Sequence, residues 1–203
     1  TDYAIADSGI KAVPKGTIIM SFKLSIGRTA ITSEDLYTNE AIMAFAGFDE
    51  KKFNIDFLHF LIANKNWLLG AKQAVKGQTL NKESIGNAKI IIPPIEAQEE
   101  FASIYNQADK SEFVGCKSQF IEMFGNQNTN DKGWTESLVK DEFKLSMGKT
   151  PARNNPECWD NGTHKWVSIS DMSSYTRYTG DTSEYITDYA IADSGIKAVP
   201  KGT

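Results

Sequence analysis

The sequence has 203 residues, of which 40% are hydrophobic and 24% charged, with a net charge of −4. This balance is typical of a globular chain with one domain or two small ones, and the lack of any run of about 18 apolar residues excludes a membrane-spanning helix. Two cysteines and two histidines without metal-ligand spacing predict reduced structural thiols rather than a metal site. The acidic residues concentrate in 93–124 and the lysines in 65–89. A basic face that contacts phosphates is therefore possible even though the net charge is negative.

The first part of the chain predicts a mixture of strands and helix. Residues 10–31 alternate apolar and polar positions between turn residues, which predicts β structure. Residues 54–70 place apolar side chains at helical spacing, with Asn54 as the N-cap and Gly70 at the end. The apolar run at 89–92, closed by two prolines, predicts another strand.

The next feature is a run of about 30 residues after Pro94 that contains no proline. A helix of this length would extend roughly 45 Å, more than a small domain can cover. We therefore expect it to protrude and to pack against a second long helix in the manner of a coiled coil. The expected partner contacts are Phe113, Phe120, Ile121 and Phe124; the alternative is that these side chains pack on their own domain.

The polar loop at 125–133 is the best candidate for a linker. A second β-rich section follows, in which the WVSIS sequence at 166–170 predicts a strand. This section holds Trp134, Trp159 and Trp166. We expect core positions for these tryptophans, with stacking on flipped DNA bases as the alternative.

The chain contains one long exact repeat, because residues 1–17 and 187–203 are identical. Joined through this overlap, the section from Trp134 onward continues into Ile18 and gives one uninterrupted domain followed by its helix. The order therefore indicates a circular permutation with an overlap, or a slice from a tandem repeat. A folded domain has one place for this segment, so one copy is redundant in a monomer or two molecules exchange their copies.

In the joined order, several short motifs together carry a resemblance to a known family. They are Gly148-Lys149-Thr150-Pro151, Trp166-Val167-Ser168-Ile169, Ser25-Ile26-Gly27-Arg28, Asn39-Glu40, Gly77-Gln78-Thr79 and Ile92-Pro93-Pro94. The chain resembles half of a specificity subunit of a type I restriction-modification enzyme, with its target recognition domain permuted. It departs from the family pattern at Glu40, where Gln is usual.

The resemblance implies an α+β fold, with a β-rich target recognition domain and a long helix. Residues 1–92 and 134–203 would form the two parts of the recognition domain, 93–124 the spacer helix and 125–133 the linker. The implied function is recognition of double-stranded DNA without a catalytic site, directing methylation and cleavage by separate modification and restriction subunits. S-adenosylmethionine, ATP and Mg would then belong to those subunits, and the chain itself would need no cofactor. A half-subunit is expected to form a homodimer, through the helix or by segment exchange, in a bacterial or archaeal cytoplasm.

The residues themselves agree with a binding role, because the sequence contains neither a P-loop nor an adenine methyltransferase motif. Lysine and arginine bind phosphates, whereas Gln, Asn, Ser and Thr read base edges. The candidate DNA contacts are Lys76, Gln78, Thr79 and Lys82; Lys149, Thr150 and Arg153; Lys23 and Arg28; and Lys165, with Ser168, Ser170 and Arg177 around the same strand. An ordinary surface turn or strand edge is the alternative for each group. A helix-mediated scaffold without DNA binding, and a fragment of a fused restriction-methyltransferase, remain the alternative functions.

Overall fold

The computed structural model describes residues 10–23, 25–69, 80–107 and 113–193. The strands are β1 (Ile18–Ser21), β2 (Thr29–Ile31), β3 (Tyr37–Thr38), β4 (Ile42–Ala46), β5 (Lys89–Ile92), β6 (Thr135–Leu138), β7 (Lys144–Met147), β8 (His164–Val167) and β9 (Glu184–Ile186). The helices are α1 (Ile55–Asn64), α2 (Lys82–Gly86), α3 (Ile95–Gln107), α4 (Phe113–Phe124), α5 (Val139–Glu142), α6 (Ile169–Met172) and α7 (Asp188–Ala192), with a 3₁₀ turn at Pro156–Cys158. Helices and strands are both well represented, which confirms the α+β class.

The sheets combine strands from the sections before and after the helices α3 and α4. An antiparallel sheet has the order β2-β1-β4-β7, and β5 pairs with β6. In the sheet β3-β8-β9, β3 and β8 are parallel and β8 and β9 antiparallel. Residues 10–92 and 134–193 therefore complete each other's sheets, and neither section satisfies its strand edges alone.

Helix α1 begins as its sequence predicts and ends earlier. The Asn54 side chain accepts hydrogen bonds from the backbone amides of Asp56 and Phe57, which confirms the N-cap. The helix stops at Asn64 rather than near Gly70. The indole N–H of Trp67 donates to the carbonyl of Ile62 (2.9 Å), a carbonyl that the helix end leaves without a helical donor.

Helices α3 and α4 pack against each other, so the expected single protruding helix is not confirmed. The rings of Phe101 and Phe120 have centroids 5.3 Å apart. In one straight helix these residues would be separated by about 28 Å. Both rings also contact Phe60 of α1, at 4.9 and 5.1 Å between centroids. Burial of this aromatic cluster stabilises the folded-back arrangement, because each ring removes a large apolar surface from water.

The residues expected to contact a partner through the long helix differ in their exposure to solvent. Phe120 and Phe124 are 3% and 1% exposed, so their side chains are used inside the chain, as the alternative interpretation held. Ile121 is 52% exposed and is available at the surface. Phe113 begins α4, and its side chain lies outside the described part.

The loop at 125–133 is held by its own hydrogen bonds. The carboxylate of Asp131 accepts from the amide of Asn126 (2.8 Å), and the Asn130 side chain bonds both the amide and the carbonyl of Trp134. Lys132 donates to the Met123 carbonyl at the end of α4 (3.1 Å), which is favourable for a cation at a helix C-terminus. These bonds fix the direction in which the chain enters β6.

The predicted WVSIS strand is correct only in its first half. Strand β8 ends at Val167, and Ser168 is the N-cap of α6. The Ser168 side chain accepts from the amide of Asp171, and the Asp171 side chain accepts from the amide of Ser168 (2.8 Å). This capping box stabilises a helix start where the alternation alone predicted a strand.

Candidate functional site

The candidate site is built on the tight turn between β3 and β4. The side chain of Asn39 accepts a hydrogen bond from the amide of Ala41 (2.7 Å), a turn that asparagine forms readily. The amide of Asn39 donates to the carbonyl of Val167 (3.1 Å), which fixes the turn to the end of β8. Glu40 lies between these anchors and is exposed.

A glycine brings the loop after β7 against this turn. A Cβ atom on Gly148 would lie 1.9 Å from the carbonyl oxygen of Thr38, so a larger residue cannot occupy this position without moving the backbone. The amide of Lys149 then donates to the same carbonyl (2.9 Å). The next residue, Thr150, donates its hydroxyl to the carboxylate of Glu40. The close approach therefore explains why the Gly-Lys-Thr motif needs its glycine.

Arg153 is held on an aromatic platform. Its guanidinium carbon lies 4.1 Å from the ring centroid of Trp159 and 4.6 Å from that of Trp166. The same guanidinium forms a two-pronged ion pair with Glu184, in a geometry that suits arginine. Half of the Arg153 side chain (51%) stays exposed. The tryptophans thus support the arginine at the surface, and Trp166 itself is buried, as its predicted core role requires.

Lys23 completes the group from the end of β1. The amide of Phe22 donates to the carbonyl of Ala41 (2.9 Å), which places the exposed Lys23 beside the turn. Partial burial alone would raise the pKa of Glu40. Hydrogen bonds from Thr150 and from the backbone, together with the charges of Lys23 and Arg153, lower this pKa below its usual value. Glu40 is therefore ionised near neutral pH. We call Lys23, Glu40, Thr150 and Arg153 the Glu40 group.

Arg28 lies in the turn that joins β1 to β2. Gly27 has a φ of 87°, a conformation that favours glycine and lets the turn close. Arg28 is exposed, and among the ion pairs of the described residues none includes its guanidinium. Within the described part of the chain, no ion pair therefore neutralises its charge.

Lys165 is engaged with acids instead. Its ammonium lies 2.7 Å from a Glu34 carboxylate oxygen and 3.8 Å from one of Asp181, and it donates to the Gly180 carbonyl. The hydrogen bond to Glu34 is the main reason that the pKa of Lys165 is raised. This lysine serves an internal ion-pair network, which argues against its predicted role in DNA contact.

The remaining candidates lie elsewhere. Lys82 is exposed at the start of α2, and no contact in the described part links it to the Glu40 group. Lys76, Gln78 and Thr79 lie outside the described residues. Arg177 is largely buried against Asp56, and Ser168 is used as a helix cap.

Glu40 is the residue that the selection of candidates missed. Candidates for DNA contact are chosen from the sequence as cations and amides, because DNA is an anion. A carboxylate is therefore not selected. The one available signal was its departure from the usual Gln of the resembled family. The position is exposed, bonded to Thr150 and within electrostatic range of Lys23 and Arg153, so its carboxylate belongs to the same surface as these candidates.

The described part of the chain contains no candidate metal site, no disulfide and no helix that could span a membrane. Its His, Cys, Asp and Glu side chains form no group of three or more that could hold a metal ion. Cys116 and Cys158 are buried and form no disulfide, and burial is the main cause of the raised pKa of Cys158. No helix among the described residues combines the length and apolar character needed to cross a membrane.

Comparison with known proteins identifies the family. The model of the type I restriction modification DNA specificity domain matches residues 4–121, more than half of the chain. The chain belongs to this family. It is also 43% identical, over 54 residues, to the specificity subunit of the type I restriction enzyme EcoR124I/EcoR124II from Escherichia coli. That match covers 26% of the chain and 13% of the relative.

Membership of the specificity domain family bears on the site in two ways. The matched range includes Lys23 and Glu40 and ends before Thr150 and Arg153. The Glu40 group therefore joins residues inside and outside the matched range. The family is one of DNA specificity domains, and type I specificity subunits are non-catalytic.

Proposed function

We propose that this specificity domain recognises a DNA sequence in double-stranded DNA, with the Glu40 group and Arg28 on the contacting surface. The observation that carries the proposal is the exposed carboxylate of Glu40, which accepts a hydrogen bond from Thr150 and interacts electrostatically with Lys23 and Arg153, in a member of a DNA specificity family. These residues come from distant parts of the sequence, and the fold gathers them at one exposed turn.

The chemistry of the group suits both kinds of DNA contact. Lys23, Arg28 and Arg153 supply cations that bind phosphates and fix the register of the protein on the duplex. Ionised Glu40 accepts hydrogen bonds only, and in the major groove a carboxylate accepts from the amino group of cytosine. The cations offset the repulsion between this carboxylate and the phosphates. The group would thus position the duplex and read a base.

The wider role follows from the family. We propose that the chain acts in a type I restriction-modification enzyme and directs methylation and cleavage by modification and restriction subunits. S-adenosylmethionine, ATP and Mg would serve those subunits, in the cytoplasm of a bacterium or archaeon. The shared sheets support a recognition domain assembled from 1–92 and 134–203, and hence a circular permutation.

DNA binding is tested by titrating the purified protein with a pool of randomised duplexes at two salt concentrations. We expect affinity to fall with salt, and expect Lys23→Gln and Arg153→Gln each to reduce the slope of log K against log salt by about 1. Lys165→Gln is the matched control, because this lysine lies near two acids, Glu34 and Asp181, and its side chain is only 22% exposed, against 51% for Arg153. Its slope should equal that of the unchanged protein. Absence of salt-dependent binding, with and without a modification subunit, would refute the DNA proposal.

The base-reading role of Glu40 needs a separate experiment. Sequences selected from the duplex pool by the unchanged protein should contain a preferred C·G pair that Glu40→Gln changes towards A·T, because glutamine pairs with adenine. Thr150→Val is the control, because it removes the hydroxyl bonded to Glu40 and keeps the carboxylate. Identical selected sequences for Glu40→Gln and the unchanged protein would exclude Glu40 as a reader.

We also propose that two copies associate, so that two recognition domains meet a symmetric bipartite target. Because Phe120 and Phe124 are buried, the exposed Ile121 is the candidate contact on α4. Light scattering should give the mass of a dimer, and Ile121→Glu should shift it to that of a monomer. A monomer at high concentration of the unchanged protein would refute this proposal.

A further inference from the structure

Both copies of the exact repeat contribute residues to the folded domain. From the first copy the structure describes residues 10–17, and from the second copy residues 187–193. Within the repeated segment these are its last eight and its first seven positions.

The second copy supplies the beginning of the segment. Thr187 caps α7, since its hydroxyl oxygen accepts from the amide of Ala190 (3.3 Å), and its own amide donates to the carbonyl of Cys158 (3.1 Å). The carboxylate of Asp188 lies 2.7 Å from Nε2 of His164. These contacts attach residues 187–193 to the 3₁₀ turn and to β8.

The first copy supplies the end of the segment. Val13 is 4% exposed and exchanges both backbone hydrogen bonds with Leu36, at 2.7 and 3.0 Å. The amide of Gly16 donates to the carbonyl of Thr32 (2.9 Å), and the Thr32 hydroxyl donates to the carbonyl of Pro14 (2.6 Å). Residues 10–17 thus lie along the chain that leads from β2 to β3.

The two parts meet in the core. Ile10 from the first copy and Ala190 from the second belong to one buried cluster that also contains Trp166. Only the two positions Ser-Gly separate the described parts within the segment. Residues 187–193 and 10–17 therefore occupy the place of one continuous segment, which the domain fills from both copies.

We propose that the two copies compete for this single place and that the crossover between them migrates along the segment. Residues 196–203 repeat residues 10–17 letter for letter, so Val199 can make every contact that Val13 makes. Moving the crossover exchanges each contact for an identical one, and only the junction changes in energy. The chain then exists as an ensemble of crossover positions with nearly equal free energies. This inference does not depend on DNA binding.

The test compares the same substitution in each copy of the full chain. Val13→Asp and Val199→Asp should each lower Tm by no more than about 3 °C, because the unchanged copy fills the place. The double variant should lower Tm by about 10 °C, because it must bury an aspartate where the domain buries a valine. The corresponding Val→Ala variants give the same pattern with smaller shifts, should the double aspartate variant not fold.

Hydrogen exchange measured by mass spectrometry identifies the copy in place, because the substitution makes the two otherwise identical peptides differ in mass. In Val13→Asp the peptide with Val199 should be protected, and in Val199→Asp the peptide with Val13. A Val13→Asp variant as unstable as the double variant would overturn the proposal, since residues 10–17 would then be irreplaceable. So would a Val199→Asp variant as unstable as the double variant, or a double variant as stable as the unchanged protein.

Discussion

Two arginines of this domain make the same kinds of contact in opposite surroundings. Arg153 lies over Trp159 and pairs with Glu184, and Arg177 lies over Tyr105 (4.5 Å to the ring centroid) and pairs with Asp56. The Arg153 side chain is 51% exposed and that of Arg177 only 19%. Water therefore screens the first pair and not the second. The same combination of guanidinium, carboxylate and aromatic ring can thus serve binding at the surface and stability in the interior.

The inner pair also belongs to a wider polar network. His59 has its two ring nitrogens 3.2 Å from the hydroxyl oxygens of Thr29 and Tyr105. The Asp56 carboxylate also accepts from Asn106 (3.0 Å). The network joins β2, α1 and α3 to the section after β8, which contributes Arg177. It is a cross-link between the two parts of the chain that share sheets.

Removal of Arg177 should have the largest effect on stability. Arg177→Met leaves the Asp56 carboxylate largely buried without its cation, which should cost about 3–4 kcal/mol of unfolding free energy. Urea denaturation measures this loss. Asp56→Asn in the same chain should recover part of it, because the uncompensated charge is then gone. A double variant whose cost equals the sum of the single costs would contradict this coupling.

The next largest effect concerns pH. Burial, and then the charge of Arg177, lower the pKa of His59 to about 4 from an ordinary 6.5. Between these values the unfolded chain binds a proton that the folded chain does not, so stability should fall as pH falls through this window and should be unaffected above it. The maximum loss is about 3 kcal/mol. His59→Gln should remove this part of the pH dependence in urea denaturation, and an unchanged slope in the variant would exclude His59 as its source.

A smaller effect should follow from adding a Cβ atom at Gly148, where the loop after β7 lies against Thr38. Gly148→Ala forces the loop away from the turn, which should cost about 2 kcal/mol and separate Thr150 from Glu40. DNA affinity should therefore fall together with Tm. Gly115→Ala is the control, because a Cβ there meets open space in α4 and alanine favours a helix. Equal Tm values for the two variants would contradict the close approach of Gly148.

The smallest effect is expected for the exposed arginine. Arg153→Ala should change unfolding free energy by less than about 1 kcal/mol, because exposed ion pairs are screened by water. The same variant should still weaken DNA binding clearly. A loss of stability comparable to that of Arg177→Met would contradict the statement that water screens the ion pair of Arg153.

Much of the local structure could be predicted because local patterns decide it. Asn54 caps α1 as its position before an apolar run predicts, and the apolar run at 89–92 is a strand. The prediction failed at 166–170, where alternation favours a strand but the capping box between Ser168 and Asp171 starts a helix. It also missed Glu40, whose meaning depends on neighbours that are distant in sequence.

The sequence by itself determined the family, through short motifs in a specific order, and the cap and strand positions that depend on nearest neighbours. It also determined that two identical segments exist. Only the tertiary structure decided that Lys165 is paired with Glu34 whereas the end of β1 brings Lys23 beside the turn of Glu40, and that Phe120 packs on Phe101. Helical and strand periodicity report which side chains share a face. Which faces and charges meet depends on how the chain folds back on itself, because burial and ion pairing act between residues that are close in space and far apart in sequence.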